Sequence, residues 1–151
     1  ANAAWADVVA HEVAIETDWY DLAMIAVTPG GWYDPVTSKI DESKGTMAEN
    51  KELFDRARAA GIGLVGMKAA RHLATNPYDG ISPMFKATGA APSFYDEFYP
   101  QALLDAPFSE FQRSYAYVLH SGMDVVNADM QNFKHFEENV IAARSAAEYF
   151  A

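Results

Sequence analysis

Ala57-Arg58-Ala59-Ala60-Gly61-Ile62-Gly63-Leu64-Val65-Gly66-Met67-Lys68-Ala69 places the end of a helix, a glycine stop and a short apolar run in immediate succession. Upstream, Thr46 can cap a helix, Glu49 follows three residues later, and Leu53, Phe54 and Ala57 form an apolar stripe, so residues 46–60 read as a helix. Gly61 ends it. Ile62 to Met67 then reads as a buried strand, too short and too evenly apolar for another helix. The glycines at 61, 63 and 66 fit the letters G-x-G-x-x-G, but a dinucleotide fingerprint needs them between a strand and a helix N-terminus. Here they leave a helix and enter a strand. Gly61 is better read as a helix stop and Gly66 as a point of close packing.

The same grammar repeats on both sides. Residues 5 to 17 carry Trp5, Val8, Val9, Val13 and Ile15 at roughly helical spacing, and Leu22-Ala23-Met24-Ile25-Ala26-Val27 is an apolar run stopped by Pro29-Gly30-Gly31. Residues 30 to 46 read as a loop. Residues 71 to 107 form a long irregular stretch, yet Tyr78, Phe85, Phe94, Tyr95, Phe98 and Tyr99 are too many aromatics for disorder, so it is expected to be ordered, with short helical turns. Phe108 to His120 is helical, with Phe111, Tyr115, Val118 and Leu119 on one side. Met123 to Ala128 is a third strand. Phe133 to Phe150 is a final helix, with Phe136, Val140, Ile141 and Ala143 or Ala147 expected to face inward.

Strands separated by helices imply parallel pairing with right-handed crossovers, an α/β fold in a single domain over 1–151. About three strands cannot close a barrel, and a complete (β/α)8 barrel usually needs roughly 250 residues. Such a sheet keeps an open edge that invites another chain. The beginning, Ala1-Asn2-Ala3-Ala4-Trp5, has neither an initiator methionine nor a signal-peptide pattern and reads as a processed product or a piece of something longer.

Composition narrows the function. Half the residues are hydrophobic, 21% are charged, and the formal net charge is −10. That charge argues against nucleic acid and against an anionic membrane surface. No run approaches the ~18 apolar residues of a membrane span. A soluble, cytoplasmic protein is expected. The absence of cysteine excludes disulfides and thiolate chemistry. His11, His72, His120 and His135 form no metal-ligand spacing. Asp96-Glu97 and Glu137-Glu138 are neighbours that point apart rather than carboxylate pairs. Lys68 differs, because it ends an apolar strand where a barrel places its active face, although a strand-end lysine reaching solvent is an equally good reading.

Three segments together resemble one family. Residues 57 to 69 look like the sixth helix and seventh strand of aldo/keto reductases. Tyr115-Ala116-Tyr117-Val118-Leu119 through Met123-Asp124-Val125-Val126-Asn127-Ala128-Asp129-Met130 resembles the seventh helix and eighth strand. Phe133-Lys134-His135-Phe136-Glu137-Glu138-Asn139-Val140 resembles the start of the last helix. Residues 18 to 27 then match the sixth strand and residues 3 to 17 the fifth helix, so the resemblance implies part of a TIM-type (β/α)8 barrel, its fifth to eighth helices.

The resemblance implies reduction of carbonyls by hydride from NAD or NADP, through an Asp, Tyr, Lys and His tetrad on the first four strands. No position in this chain matches that tetrad, and Lys68 is not its lysine. The resemblance does imply cofactor-binding positions here. Met24 and Met67 stand toward the nicotinamide. Lys68, Ala69 and Ala70 form the turn facing the pyrophosphate. Asp129 stands at the 2′-phosphate position, His135 where an arginine is common, Met130 and Gln131 are cofactor-binding positions beside them, and Glu138 and Asn139 lie near the adenine. Asp129 and His135 depart from the basic residues common there, and a carboxylate at 129 favours NAD over NADP.

The expected partner is the missing N-terminal barrel half or another protein chain. The rival expectation is a non-catalytic binding module that docks through its open sheet edge and the aromatic, acidic loop at 85–108. The plainer reading of that loop is a lid packed on its own barrel. A degenerate enzyme with no function of its own is a third reading.

Overall fold

The computed structural model describes residues 8–74, 89–128, 130 and 132–150, with the side chains of 8–11 left aside. Helix α1 spans Val8–Thr17 and leads to strand β1, Leu22–Thr28. A hairpin of β2 (Gly31–Asp34) and β3 (Lys39–Ile40) follows, then α2 (Lys51–Ala59) and β4 (Gly63–Met67). After a stretch of turns come α3 (Gln101–Leu104), α4 (Glu110–His120), β5 (Val125–Val126) and α5 (Phe133–Ser145). The strands form one open, mixed, five-stranded sheet in the order β3-β2-β1-β4-β5. Its centre is parallel, β1 on β4 and β4 on β5, as the alternation of strands and helices predicts. The chain is an α/β protein with helices flanking this sheet.

Residues 30 to 46 correct the expectation of a loop, and with it the count of about three strands. Gly31 at φ +112° turns the chain tightly enough for Thr28 to pair with it, and β2 returns antiparallel along the end of β1. Trp32 and Tyr33 on β2 are both buried. Because β2 pairs with β1 only at Val27 and Thr28, residues Leu22 to Ala26, paired with β4 on one edge, carry no strand partner on the other among the described residues.

The helix boundaries follow local chemistry. The expected helix from Thr46 begins later, at Lys51 with Asn50 as its N-cap: Thr46 and Glu49 do bond in both directions, Thr46 N–H to the Glu49 carboxylate at 2.7 Å and Glu49 N–H to Thr46 Oγ1 at 3.3 Å, but they close a turn ahead of α2. At the other end of α2, Gly61 adopts φ +82°, its N–H donates to the Arg58 carbonyl, and Ile62 N–H donates to the Ala57 carbonyl. These are the two bonds of a Schellman motif, so the chain leaves α2 pointed straight into β4. Arg56 holds α1 on α2 through two hydrogen bonds to the Glu12 carboxylate, at 2.8 and 2.6 Å.

The register decides which side chains meet the helices. Ala23, Ile25 and Val27 of β1, Leu64 of β4 and Val126 of β5 point to one face and pack with Phe54, Ala57, Val118 and Met123. On the opposite face, Met24 lies beside Val65, and Val65 lies beside Val125, with Leu22 and Met67 flanking that row. These positions are half-buried or exposed, Leu22 at 47% and Val125 at 54%.

The aromatic stretch after β4 folds onto its own chain. Tyr95, Tyr99, Leu103 and Phe108 form a second cluster with Ala116 of α4 and Ala146. Short turns are present as expected, a 3-10 turn at Asp96–Phe98 and the four-residue α3. This favours packing of the loop on its own fold over a docking surface, for the described part, 89–107. Pro77, Tyr78, Pro83 and Phe85 lie outside the described residues, as does Trp5.

Helix α5 corrects another expectation. Its inward residues are Ala142 and, one turn later, Ala146, while Phe136 and Ile141 are about half exposed and Ala143 and Ala147 face solvent. Small side chains let α5 approach α4 closely, where Gln112 Nε2 donates to the Glu138 carbonyl. The helix proper ends at Ser145, and Ala146–Tyr149 tightens to a 3-10 turn.

Gly66 is the tightest point of the parallel sheet, for a Cβ there would stand 3.0 Å from Met123 Cγ and 3.1 Å from Val118 Cγ1. Gly66→Ala is expected to destabilise the protein by about 1–3 kcal/mol through overpacking. Gly63→Ala, whose nearest atom would be the Asp21 carbonyl at 3.6 Å, is expected to be neutral or stabilising by about 0.5 kcal/mol. Urea unfolding of the two variants checks the contrast.

Candidate functional site

All three parallel strands end at the same edge of the sheet, the edge where open α/β sheets bind ligands. Lys68 stands there at φ +71°, a left-handed conformation that costs a non-glycine residue about 1–2 kcal/mol. The turn it begins is closed by Arg71 N–H donating to the Lys68 carbonyl at 2.8 Å and by Leu73 and Ala74 N–H donating to the Ala70 carbonyl at 3.1 Å. Buried Ser114 of α4 donates to the Ala69 carbonyl at 2.6 Å and ties this turn to the helix behind it.

The turn lines a cleft of about 350 Å³ bounded by Met67, Lys68, Ala69, Ala70, Arg71, Ala74, Tyr115, Asn127 and Ala128. Both of its charged side chains are cations, in a chain whose formal net charge is −10. No carboxylate lines it among the described residues. No ion pair engages the Lys68 ammonium among the described residues, and Arg71 Nε donates to Tyr33 Oη at 3.4 Å. The cleft is suited to an anion.

A second cleft of about 270 Å³ runs between β5, α4 and α5. Its walls are mostly apolar, with Leu119, Val125, Val126 and Ala142, and it shares Tyr115 and Ala128 with the first. Asn139 lines it, and its Nδ2 is buried with no hydrogen-bond partner among the described residues. A buried amide donor without an acceptor is costly unless something else supplies one.

Of the sequence-derived positions, Met67, Lys68, Ala69 and Ala70 come together in the first cleft, and Asn139 lines the second. Met24 lies on the uncovered sheet face, half-buried and in neither cleft. Met130 is exposed. His135 sits in the first turn of α5, where its N–H donates to the Asn132 cap at 3.0 Å. Glu138 pairs with Lys134 at 3.6 Å. Asp129 and Gln131 lie outside the described residues. Sequence reading passed over Arg71, Tyr115 and Asn127; the spacing of Arg71 three residues after Lys68, within one turn, was the available clue.

Beyond the cleft wall the turn carries His72, 4% exposed, inside a box of aromatic rings. Its Nδ1 lies 2.5 Å from Tyr95 Oη and its Nε2 lies 3.2 Å from the Ser38 carbonyl. Burial holds the imidazole below its ordinary value, and burial likewise pushes the Tyr95 phenol upward. Both side chains are therefore neutral at neutral pH. Among the described residues, no group of three or more His, Cys, Asp or Glu could hold a metal ion, and no helix is long and apolar enough to cross a membrane.

Lys68→Gly and Lys68→Ala both remove the ammonium, but only glycine accepts the left-handed backbone. Lys68→Gly is expected to be the more stable by about 1 kcal/mol, read from thermal unfolding. Comparison with protein-family models, with curated proteins and with solved structures finds no match for this chain.

Proposed function

We propose that the chain is the cofactor-holding C-terminal part of an aldo/keto-reductase-like oxidoreductase. In this reading the parallel β1-β4-β5 unit belongs to a TIM-type barrel, and the catalytic tetrad comes from strands that these residues do not include. The observation that carries the proposal is a cationic cleft at the carboxyl edge beside a mostly apolar cleft along β5, α4 and α5, the two sharing Tyr115 and Ala128. Their chemistry fits an elongated ligand with an anionic middle and a flat heterocyclic end, as in NAD or NADP.

Lys68 would hold the diphosphate by a charge-assisted hydrogen bond. Asn139, which lines the apolar cleft, would stand near the adenine. Met67 would border the nicotinamide, whose chemistry when bound is hydride transfer. Asp129, by its charge, would disfavour the 2′-phosphate and so favour NAD. The uncovered row Leu22, Met24, Val65, Met67 and Val125 supports the barrel reading too, since parallel sheets are ordinarily covered on both faces. The same row favours a second reading, a non-catalytic module that docks on a partner through its open sheet.

Titration of the chain with NADH, followed by nicotinamide fluorescence, separates the two. Saturable binding is expected, weaker for NADPH, and Lys68→Ala should weaken NADH binding roughly tenfold, the worth of about one charge-assisted hydrogen bond. No saturable binding of either dinucleotide would overturn the reductase reading and leave the docking module.

A further inference from the structure

Helix α5 buries small side chains and exposes large ones. Ala142, and Ala146 one turn on, are buried, whereas Phe133 is 72% and Phe136 46% exposed. The outward residues repeat as a heptad. Phe133, Phe136, Val140, Ala143 and Ala147 follow one another at alternating intervals of three and four, the spacing of the two seam positions of a coiled coil. Val140 is half-buried and the other four are exposed, with the Phe133 and Phe136 rings 5.6 Å apart on the outer surface. Glu137 and Arg144 flank this seam on one side, seven residues apart. Both are exposed, and neither forms an ion pair among the described residues.

We propose that this face of α5 is the contact between two copies of the chain, which pair antiparallel through it. Size and charge select that occupant together. With Val140 set against Ala143 of the second copy, the next layer places Phe136 against Ala147 of the second copy, and the twofold axis repeats both. Each larger side chain then meets an alanine, as close packing requires. In the same register Glu137 of each copy faces Arg144 of the other. Sliding one copy by a heptad sets Glu137 against Glu137. A parallel pairing sets Glu137 beside Asn132 and Arg144 beside Asn139, with no ion pair. Flanking charges fix the orientation and register of such pairs.

The contact is short. Thirteen helical residues span about 20 Å, and a surface of that length falls below the roughly 1,000 Å² of a stable interface. The dimer is therefore weak and depends on concentration. The formal net charge of −10 on each copy opposes association, and salt at about 0.15 M screens charges more than about 8 Å apart. None of the seam residues lines the Lys68 cleft, while Ala143 also lines the apolar cleft, so the second copy stands at its rim. The pairing does not rest on the dinucleotide reading.

Sedimentation equilibrium of the full chain at about 0.15 M salt, from about 10 µM to about 1 mM, tests the pairing. The average mass should rise from 16.6 kDa toward twice that value. Arg144→Glu and Glu137→Arg should each weaken association roughly tenfold, because each sets like charges face to face at two places. The double exchange should restore it, since the same pairs re-form with their signs reversed. All four residues changed or created are on the surface, and an unaltered circular dichroism spectrum checks that each variant keeps the fold. A chain that stays at 16.6 kDa at the highest concentration would overturn the proposal and leave the face to a helix of another protein. Dimerisation that the single exchanges do not weaken, or that the double exchange does not restore, would overturn it as well.

Discussion

The parallel pairing of β1 with β4 sets everything else, because it obliges apolar side chains to stand on both faces of the sheet. One face is answered within the chain. Leu64 and Ile25 bury against Phe54 and Val118, and Gly66 lets Val118 and Met123 come so close that an added methyl group would have to push them aside. The other face is answered only in part. The row Met24–Val65–Val125 runs across the sheet with Leu22 and Met67 beside it, and no helix of this chain packs over it among the described residues. Burying one such side chain is worth about 1.5–3 kcal/mol, so leaving several in water is a substantial forfeited gain. Further β/α units that cover this face would recover it.

The same pairing makes the candidate site. Because β1, β4 and β5 run together, their carboxyl ends gather Met67, the Lys68 turn and Asn127 at one edge. The site is then stiffened from behind, by Ser114 on the Ala69 carbonyl and by the Gln112 bridge that sets α5 against α4. The cost of holding Lys68 left-handed is borne by this framework, and the result is a cationic cleft on an otherwise acidic chain. On the far side of the same turn, His72 and its aromatic box connect the cleft wall to the loop that covers the second core cluster.

Much of this was readable from residue order, and the failures have physical causes. Gly61 announced itself as a helix stop because only a left-handed residue can make the Schellman turn, and the apolar runs at 22–27 and 62–67 were too short to be anything but strands. The β2–β3 hairpin was missed because Gly, Pro, Asp and Ser around it mark turns, while its pairing is supplied by the end of β1 that runs past β4. The inward face of α5 was misjudged because Phe136 and Ile141 look like core, yet the space beside α4 admits only alanine-sized side chains. In the site, Lys68 stood out by its place at a strand end. His72 did not, since its role depends on Ser38 and Tyr95, which are brought to it only by tertiary folding.

The most direct measurement is oxidative footprinting of the methionines in the chain alone. Met24 and Met67 of the uncovered face should oxidise at rates approaching that of exposed Met130, while Met47 and Met123, at 1% and 4% exposure in the core, stay protected. Protection of Met24 and Met67 equal to that of Met47 and Met123 would mean that the chain covers its own sheet, and the case for a completing set of β/α units would fall.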